Sequence, residues 1–92
     1  MIDTFGHIKL VKTWGACPEQ YEVYNEDENI GYIRYHHGWL KANPIINGEY
    51  LFDENVVEEQ IGDQYDGILP EDSREVLLKN CITKIVEYHN SL

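Results

Sequence analysis

Two dipeptides, His37-Gly38 and Asn47-Gly48, punctuate a stretch otherwise rich in Tyr, Val and Ile, and they constrain this chain more than any other feature. Glycine accepts the left-handed backbone that a tight reversal needs, so the β-forming runs beside it are expected to fold back on one another. Ile30–His36 and Trp39–Asn43 then pair across His37-Gly38, and Glu49–Phe52 follows Asn47-Gly48. Ile8–Trp14 alternates apolar and polar residues until Gly15 and Pro18 end it. Gln20–Asn25 is a further strand, separated from Ile30 by the polar Glu26-Asp27-Glu28-Asn29, which makes a hairpin there. Asn43-Pro44 is expected to stop the strand that begins at Trp39.

The C-terminal part has a different period. Pro70 suits a first helical position, and Glu71, Asp72 and Glu75 place negative charge at the positive end of a helix dipole. Leu78, Cys81, Ile82, Ile85 and Val86, with His89 following, recur at three- and four-residue intervals and form one apolar stripe able to cover a sheet. Between strands and helix, Val56, Val57 and Ile61 have near-helical spacing that Gly62 and Gly67 break, so Asp53–Leu69 is expected to be a short helix or turn and then a loop. The fold class is therefore α+β: a small antiparallel β-meander of about four strands packed against one C-terminal amphipathic helix. A chain of 92 residues buries only about two-thirds of its unfolded surface, so 1–92 is expected to be a single domain.

Charge narrows the function classes. The formal net charge is -10 with only seven Lys and Arg, which argues against binding duplex nucleic acid, because neutralising phosphates takes cations in number. Ten carboxylates lie between Glu49 and Glu75 against a single cation, Arg74, and this segment is either a solvated face or an imitation of nucleic-acid phosphate. A hydrophobic content of 42% with seven Tyr and two Trp nevertheless points to a folded protein. The N-terminus has no basic start followed by an apolar run, and no stretch of roughly 18 apolar residues occurs, so neither a signal peptide nor a membrane span is expected, and the location is expected to be cytoplasmic. Cys17 and Cys81, far apart in sequence, are then two buried thiols and not a disulfide.

Strand geometry separates two faces of the sheet. A two-residue turn at His37-Gly38 pairs His36 with Trp39, Tyr35 with Leu40, Arg34 with Lys41 and Ile33 with Ala42. One face collects Ile33, Tyr35, Leu40 and Ala42 for the core; the other collects Tyr32, Arg34, His36, Trp39 and Lys41. If Tyr21 and Val23 stay on the core side, the preceding loop has an odd number of residues, Gln20, Glu22 and Tyr24 join the second face, and Glu22 sits opposite Arg34. Aromatic planes stack on nucleobases for roughly 1–3 kcal/mol each, and Arg offers parallel donors to phosphate or a purine edge, so this face suits a small nucleotide. Plain sheet stabilisation or a protein contact accounts for the same residue types.

Other constellations are weaker. His36 and His37 are expected on opposite faces of a strand, unable to share an ion, and no metal site or cofactor is expected. Ser73, Ser91 and Thr13 accompany no phosphate loop or nucleophile elbow, so no catalytic residues are expected; a metal-free nuclease with His36 or His37 as general base is the enzyme alternative. Asp63, Asp66 and Gly67 lack the spacing of an EF-hand and are turn residues.

The stretch Thr13–Ala42, TWGACPEQYEVYNEDENIGYIRYHHGWLKA, covers about a third of the chain. It resembles a group of small phage and bacterial proteins with a W-G-x-C-P-E-Q-Y segment followed by a G-Y-[IL]-R-x-x-H-G hairpin. That group is similar to the viral anti-CBASS sponge proteins, which sequester cyclic oligonucleotide signals and so silence a bacterial immune pathway. The resemblance implies that Pro18-Glu19-Gln20-Tyr21 and the Tyr32–Trp39 hairpin carry ligand contacts. Tyr21, Tyr32 and Trp39 would stack on bases, Arg34, Lys41 and His36 would meet phosphates, Glu19 and Gln20 would read base edges, and His37 would line the site. The hairpin here, Tyr35-His36-His37, is less basic than the group's, and His36 supplies charge only when protonated. The expected function is a non-enzymatic counter-defence sponge for cyclic di- or trinucleotides, built as a homodimer or higher oligomer. The alternative is an acidic inhibitor of a host defence enzyme, acting as a nucleic-acid mimic.

Overall fold

Both glycine dipeptides form the expected reversals. His37 and Gly38 have φ of 53° and 80°, and Asn47 and Gly48 have the same pair of values, the positive-φ signature of the two-residue turn that matches strand twist. The computed structural model describes residues 2–5, 8–14, 19–63 and 69–92, with residues 2–5, 13 and 14 described by backbone alone. Within them the chain runs β1 (Ile2–Phe5), β2 (Ile8–Trp14), β3 (Glu19–Asn25), β4 (Glu28–His36), β5 (Trp39–Ile46), β6 (Glu49–Tyr50), β7 (Val57–Gln60) and α1 (Arg74–Asn90). All pairings are antiparallel, in the order β1-β2-β3-β4-β5-β6, with β7 beside β6 on the outer edge of β5. The α+β meander with one C-terminal helix is thus observed, with seven strands where about four were expected.

β6 ends at Tyr50, short of the expected Phe52, and β4 begins at Glu28, ahead of the expected Ile30. Three further boundaries differ from expectation for local reasons. β5 continues through Pro44 to Ile46. The Pro44 carbonyl accepts from the Leu51 N–H at 3.2 Å and the Ala42 carbonyl from the Val56 N–H at 2.9 Å, so this side of β5 faces the outer edge. The N–H that Pro44 lacks therefore falls between β6 and β7, where no ladder bond is lost. Val57–Gln60 is an edge strand and not a helical turn, because pairing with Trp39–Ala42 satisfies its backbone and buries Val57. The helix begins at Arg74 with Ser73 as its N-cap, not at Pro70, which instead closes a turn by accepting from the Ser73 N–H at 3.3 Å. Gly15, Cys17 and Pro18, with His7, Asp66 and Gly67, lie outside the described residues.

The β3–β4 hairpin reaches the expected parity by another route. Its turn has two residues, Glu26-Asp27, not an odd number, and Ile30 is an extra residue in β4 that shifts the register. This bulge turns both Ile30 and Gly31 toward the helix. Gly31 is required there, since a Cβ would lie 2.6 Å from Ile85 Cδ1. His89 Nε2 donates to the Ile30 carbonyl at 2.8 Å, satisfying a group that the bulge removes from the ladder.

Leu78, Cys81, Ile82 and Ile85 bury the helix stripe against Ile33, Tyr35, Leu40 and Ala42, with Leu10, Tyr21 and Val23 extending the core. Fully burying each large aliphatic side chain contributes about 1.5–3 kcal/mol. Cys81 is an inert core thiol, its pKa pushed up to about 12 by burial with a further rise from Glu59. No described helix is long and apolar enough to cross a membrane.

Candidate functional site

The helix covers one face of the sheet, and the opposite face is left open. Cross-strand pairing places Tyr32 beside Asn43, Arg34 beside Lys41 and His36 beside Trp39 on that open face. β3 adds Gln20 opposite Arg34 and Glu22 opposite Tyr32. Glu22 was expected opposite Arg34; the tight Glu26-Asp27 turn and the Ile30 bulge move it one pair along. From β2 comes Lys9, opposite Tyr24, and from β7 come Glu58 opposite Lys41 and Gln60 opposite Trp39.

Arg34, His36, His37, Trp39 and Lys41 line a depression of about 180 Å³ around the hairpin tip. Trp39 is 40% exposed. Lys41 Nζ lies 3.6 Å from Glu58 Oε2, with both side chains about half exposed, so the pair is worth at most about 1 kcal/mol and leaves Lys41 available to a competing anion. Arg34 Nη2 donates to His36 Nδ1 at 3.0 Å, which requires that nitrogen to be unprotonated. Desolvation lowers the His36 pKa below 6.5, and His37 and Arg34 lower it further. The unliganded site therefore holds a neutral His36 beside the Arg34 guanidinium.

His37 does not point away from His36 as a strand residue does. It occupies the turn at φ 53°, and its ring lies 3.7 Å from the His36 ring, centroid to centroid, at 46°. Even so, no cluster of three or more His, Cys, Asp or Glu that could hold a metal ion occurs among the described residues. The turn is pinned from outside, because the Ile61 and Gly62 N–H groups donate to the Gly38 carbonyl at 2.8 and 3.1 Å. A Cβ on Gly38 would come within 2.2 Å of the Asp63 carbonyl oxygen, so the close approach requires glycine.

Away from the tip, Tyr32 meets Tyr50 edge to face, with centroids 5.2 Å apart. Tyr24 and Asn29 donate to Glu22 at 3.3 and 2.9 Å. The Tyr50 phenol is pushed up to about 12, chiefly by burial, so both rings present neutral hydroxyls at physiological pH; Tyr32 is likewise raised, chiefly by burial.

Two expected ligand contacts lie on the other face. Tyr21 and Glu19 are each 1% exposed and side by side with Val23 in the buried set, so neither reaches a ligand on the open face. Glu19 accepts from Arg74 Nε at 2.9 Å, Arg74 Nη2 at 3.2 Å, the Leu69 N–H at 2.9 Å and the Tyr21 hydroxyl. Burial raises the Glu19 pKa, but those donors outweigh it and hold the carboxyl below 4.5. Glu19 is a structural anchor joining β3 to the start of the helix. Of the nine expected contacts, Gln20, Tyr32, Arg34, His36, His37, Trp39 and Lys41 are brought onto or beside the open face.

Sequence reasoning missed Lys9, Tyr50 and Asn43. Carrying the alternation of β3 one strand back places Lys9 beside Tyr24. Asn43 is 5% exposed and its Nδ2 lies 2.8–3.3 Å from Leu51 O, Phe52 O, Glu54 O and Asn55 Oδ1. Its two N–H groups, shared among four acceptors, shape the segment that follows β6. No protein-family model, curated protein or solved structure matches the chain.

Proposed function

We propose that the open face binds an anionic small nucleotide, most concretely a cyclic di- or trinucleotide, and holds it without cleaving it. The observation that carries this reading is the convergence of Arg34, Lys41, His36 and Trp39 on one depression in a chain of net charge -10. Phosphate meets Arg34 and Lys41, and His36 gains a proton as the anion arrives. A base stacks on Trp39, and Gln20, opposite Arg34, offers an amide to a base edge. Tyr32 extends the aromatic floor toward Tyr50.

Size argues for two protomers. A depression of about 180 Å³ is below the roughly 300–1,000 Å³ typical of ligand sites, so one protomer accommodates only part of a cyclic dinucleotide. A ligand with internal symmetry is enclosed when a second copy supplies the same residues across a twofold axis. The role as a phage counter-defence sponge rests on the resemblance of Thr13–Ala42 to that group, and the cytoplasm is where such a signal would be met. Arg34→Ala and Trp39→Ala are expected to weaken cyclic dinucleotide binding at least tenfold each; unchanged affinity in both would remove the reading.

One observation favours a second reading, the acidic protein-interaction inhibitor. Arg74, the lone cation of the segment from Glu49 to Glu75, is turned inward onto Glu19, while Glu49, Asp53, Glu54, Glu58 and Glu59 are exposed. Binding of a host enzyme through such a surface falls steeply with salt, since charge attraction is screened over about 8–10 Å at ordinary ionic strength.

A further inference from the structure

A second concavity, on the sheet edge away from the His37-Gly38 tip, has a different chemistry. Glu49, Tyr50, Leu51, Phe52, Asp53 and Glu54 form its wall from the chain that follows the Asn47-Gly48 turn, and Tyr88 of α1 closes it. Its volume is about 370 Å³ and its lining contains no Lys, Arg or His. Phe52 is 76% exposed, an unusual cost in water for a ring of that size, and the Tyr50 and Phe52 centroids are 4.3 Å apart at 41°. The segment is held in shape: Asn43 binds the carbonyls of Leu51, Phe52 and Glu54, and the Glu54 N–H donates to Leu51 O at 3.2 Å. The backbone that carries the rings is therefore preformed, and Phe52 stands clear of the core.

We propose that this groove is a docking point for an arginine side chain presented by a partner protein. Charge complementarity selects the occupant: the three carboxylates Glu49, Asp53 and Glu54 take part in no salt bridge among the described residues, and the Tyr50 phenol stays neutral. A guanidinium lays its flat, weakly hydrated face on Phe52 and Tyr50 while its edge donates to the carboxylates. Lysine, a strongly hydrated point charge, satisfies the carboxylates but stacks poorly, so arginine is the better fit. The proposal shares Glu49, Asp53 and Glu54 with the acidic-inhibitor reading and Tyr50 with the edge of the open face, but it uses no residue of the His37-Gly38 tip and recognises one planar cation in place of a general basic surface.

The test is a nuclear magnetic resonance titration of the whole ¹⁵N-labelled protein with acetyl-Gly-Arg-Gly-Arg-Gly-amide and, in parallel, the same peptide with citrulline at both arginine positions. Citrulline keeps the shape of arginine and removes its charge. The expected result is progressive shifts of the backbone amides of residues 49–54 and Tyr88 with the arginine peptide. At least tenfold weaker binding is expected of the citrulline peptide, and a similar loss in Phe52→Ala, whose exposed position leaves the fold intact. Arg34→Ala is expected to bind the peptide unchanged, which separates this site from the nucleotide face. Equal binding of the two peptides, shifts confined to other residues, or an unaffected Phe52→Ala would each overturn the proposal, as would an absence of shifts.

Discussion

Arg74 holds Glu19 with two nitrogens, Nε at 2.9 Å and Nη2 at 3.2 Å, across 55 residues of chain. The carboxylate is 1% exposed and the guanidinium side chain 25%. Removing the cation strands a buried charge, so Arg74→Ala is expected to cost about 3 kcal/mol, the lower end of the range for broken buried pairs because Arg74 is partly in water. Urea denaturation measures it, and a loss below about 1 kcal/mol would contradict the account. The Glu19 pKa is lowered by folding, so its contribution is present above pH 4.5 and is lost as pH falls through the lowered folded value. Wild-type stability should accordingly drop in that acid range, and Glu19→Gln should flatten the drop.

This pair also shows how far the sequence could be read. Glu19 shares strand parity with Tyr21 and Val23, a signal that it faces inward, and Arg74 is the one cation in a run of acids; what no local pattern reveals is that the two meet. The β4–β5 register was legible because a two-residue glycine turn leaves it no freedom. The β3–β4 register was legible only in parity, since an odd loop and an even loop plus a bulge place the same residues inside while sliding Glu22 from Arg34 to Tyr32. Val57–Gln60 was illegible because one apolar residue and three polar ones carry no strand period; the free edge of β5 decides it.

Gly31 and Ile85 make the helix-to-bulge contact. A Cβ at position 31 would meet Ile85 at 2.6 and 2.8 Å, and Ile85 is fully buried. Gly31→Ala should destabilise by about 1–3 kcal/mol, as overpacking does. Adding Ile85→Ala should cost less than the sum of the two single changes, because the truncated side chain leaves space for the new methyl. Strict additivity in the denaturation midpoints would show that the contact is elsewhere.

His36 makes nucleotide binding depend on pH. In the free protein desolvation, His37 and Arg34 hold its pKa below 6.5, while a phosphate beside it raises that value. Binding then takes up a proton, and affinity for a cyclic dinucleotide should rise as pH falls from about 8 toward 6, levelling once the free imidazole is itself protonated. His36→Gln should remove the slope and leave the binding at high pH little changed. Calorimetry in buffers of different ionisation enthalpy counts the proton directly, and a slope of the opposite sign would exclude His36 as a phosphate contact.

The central claim, that the open face sequesters a cyclic nucleotide intact, is tested most directly by isothermal titration of the purified protein against cyclic di- and trinucleotides, followed by heat release and chromatography of the bound ligand. The account predicts tight binding of at least one of them, one nucleotide per two chains, and its recovery unchanged. Recovery of a cleaved nucleotide would contradict it in favour of a hydrolase, and the absence of heat from every nucleotide would contradict it in favour of the acidic surface and a protein partner.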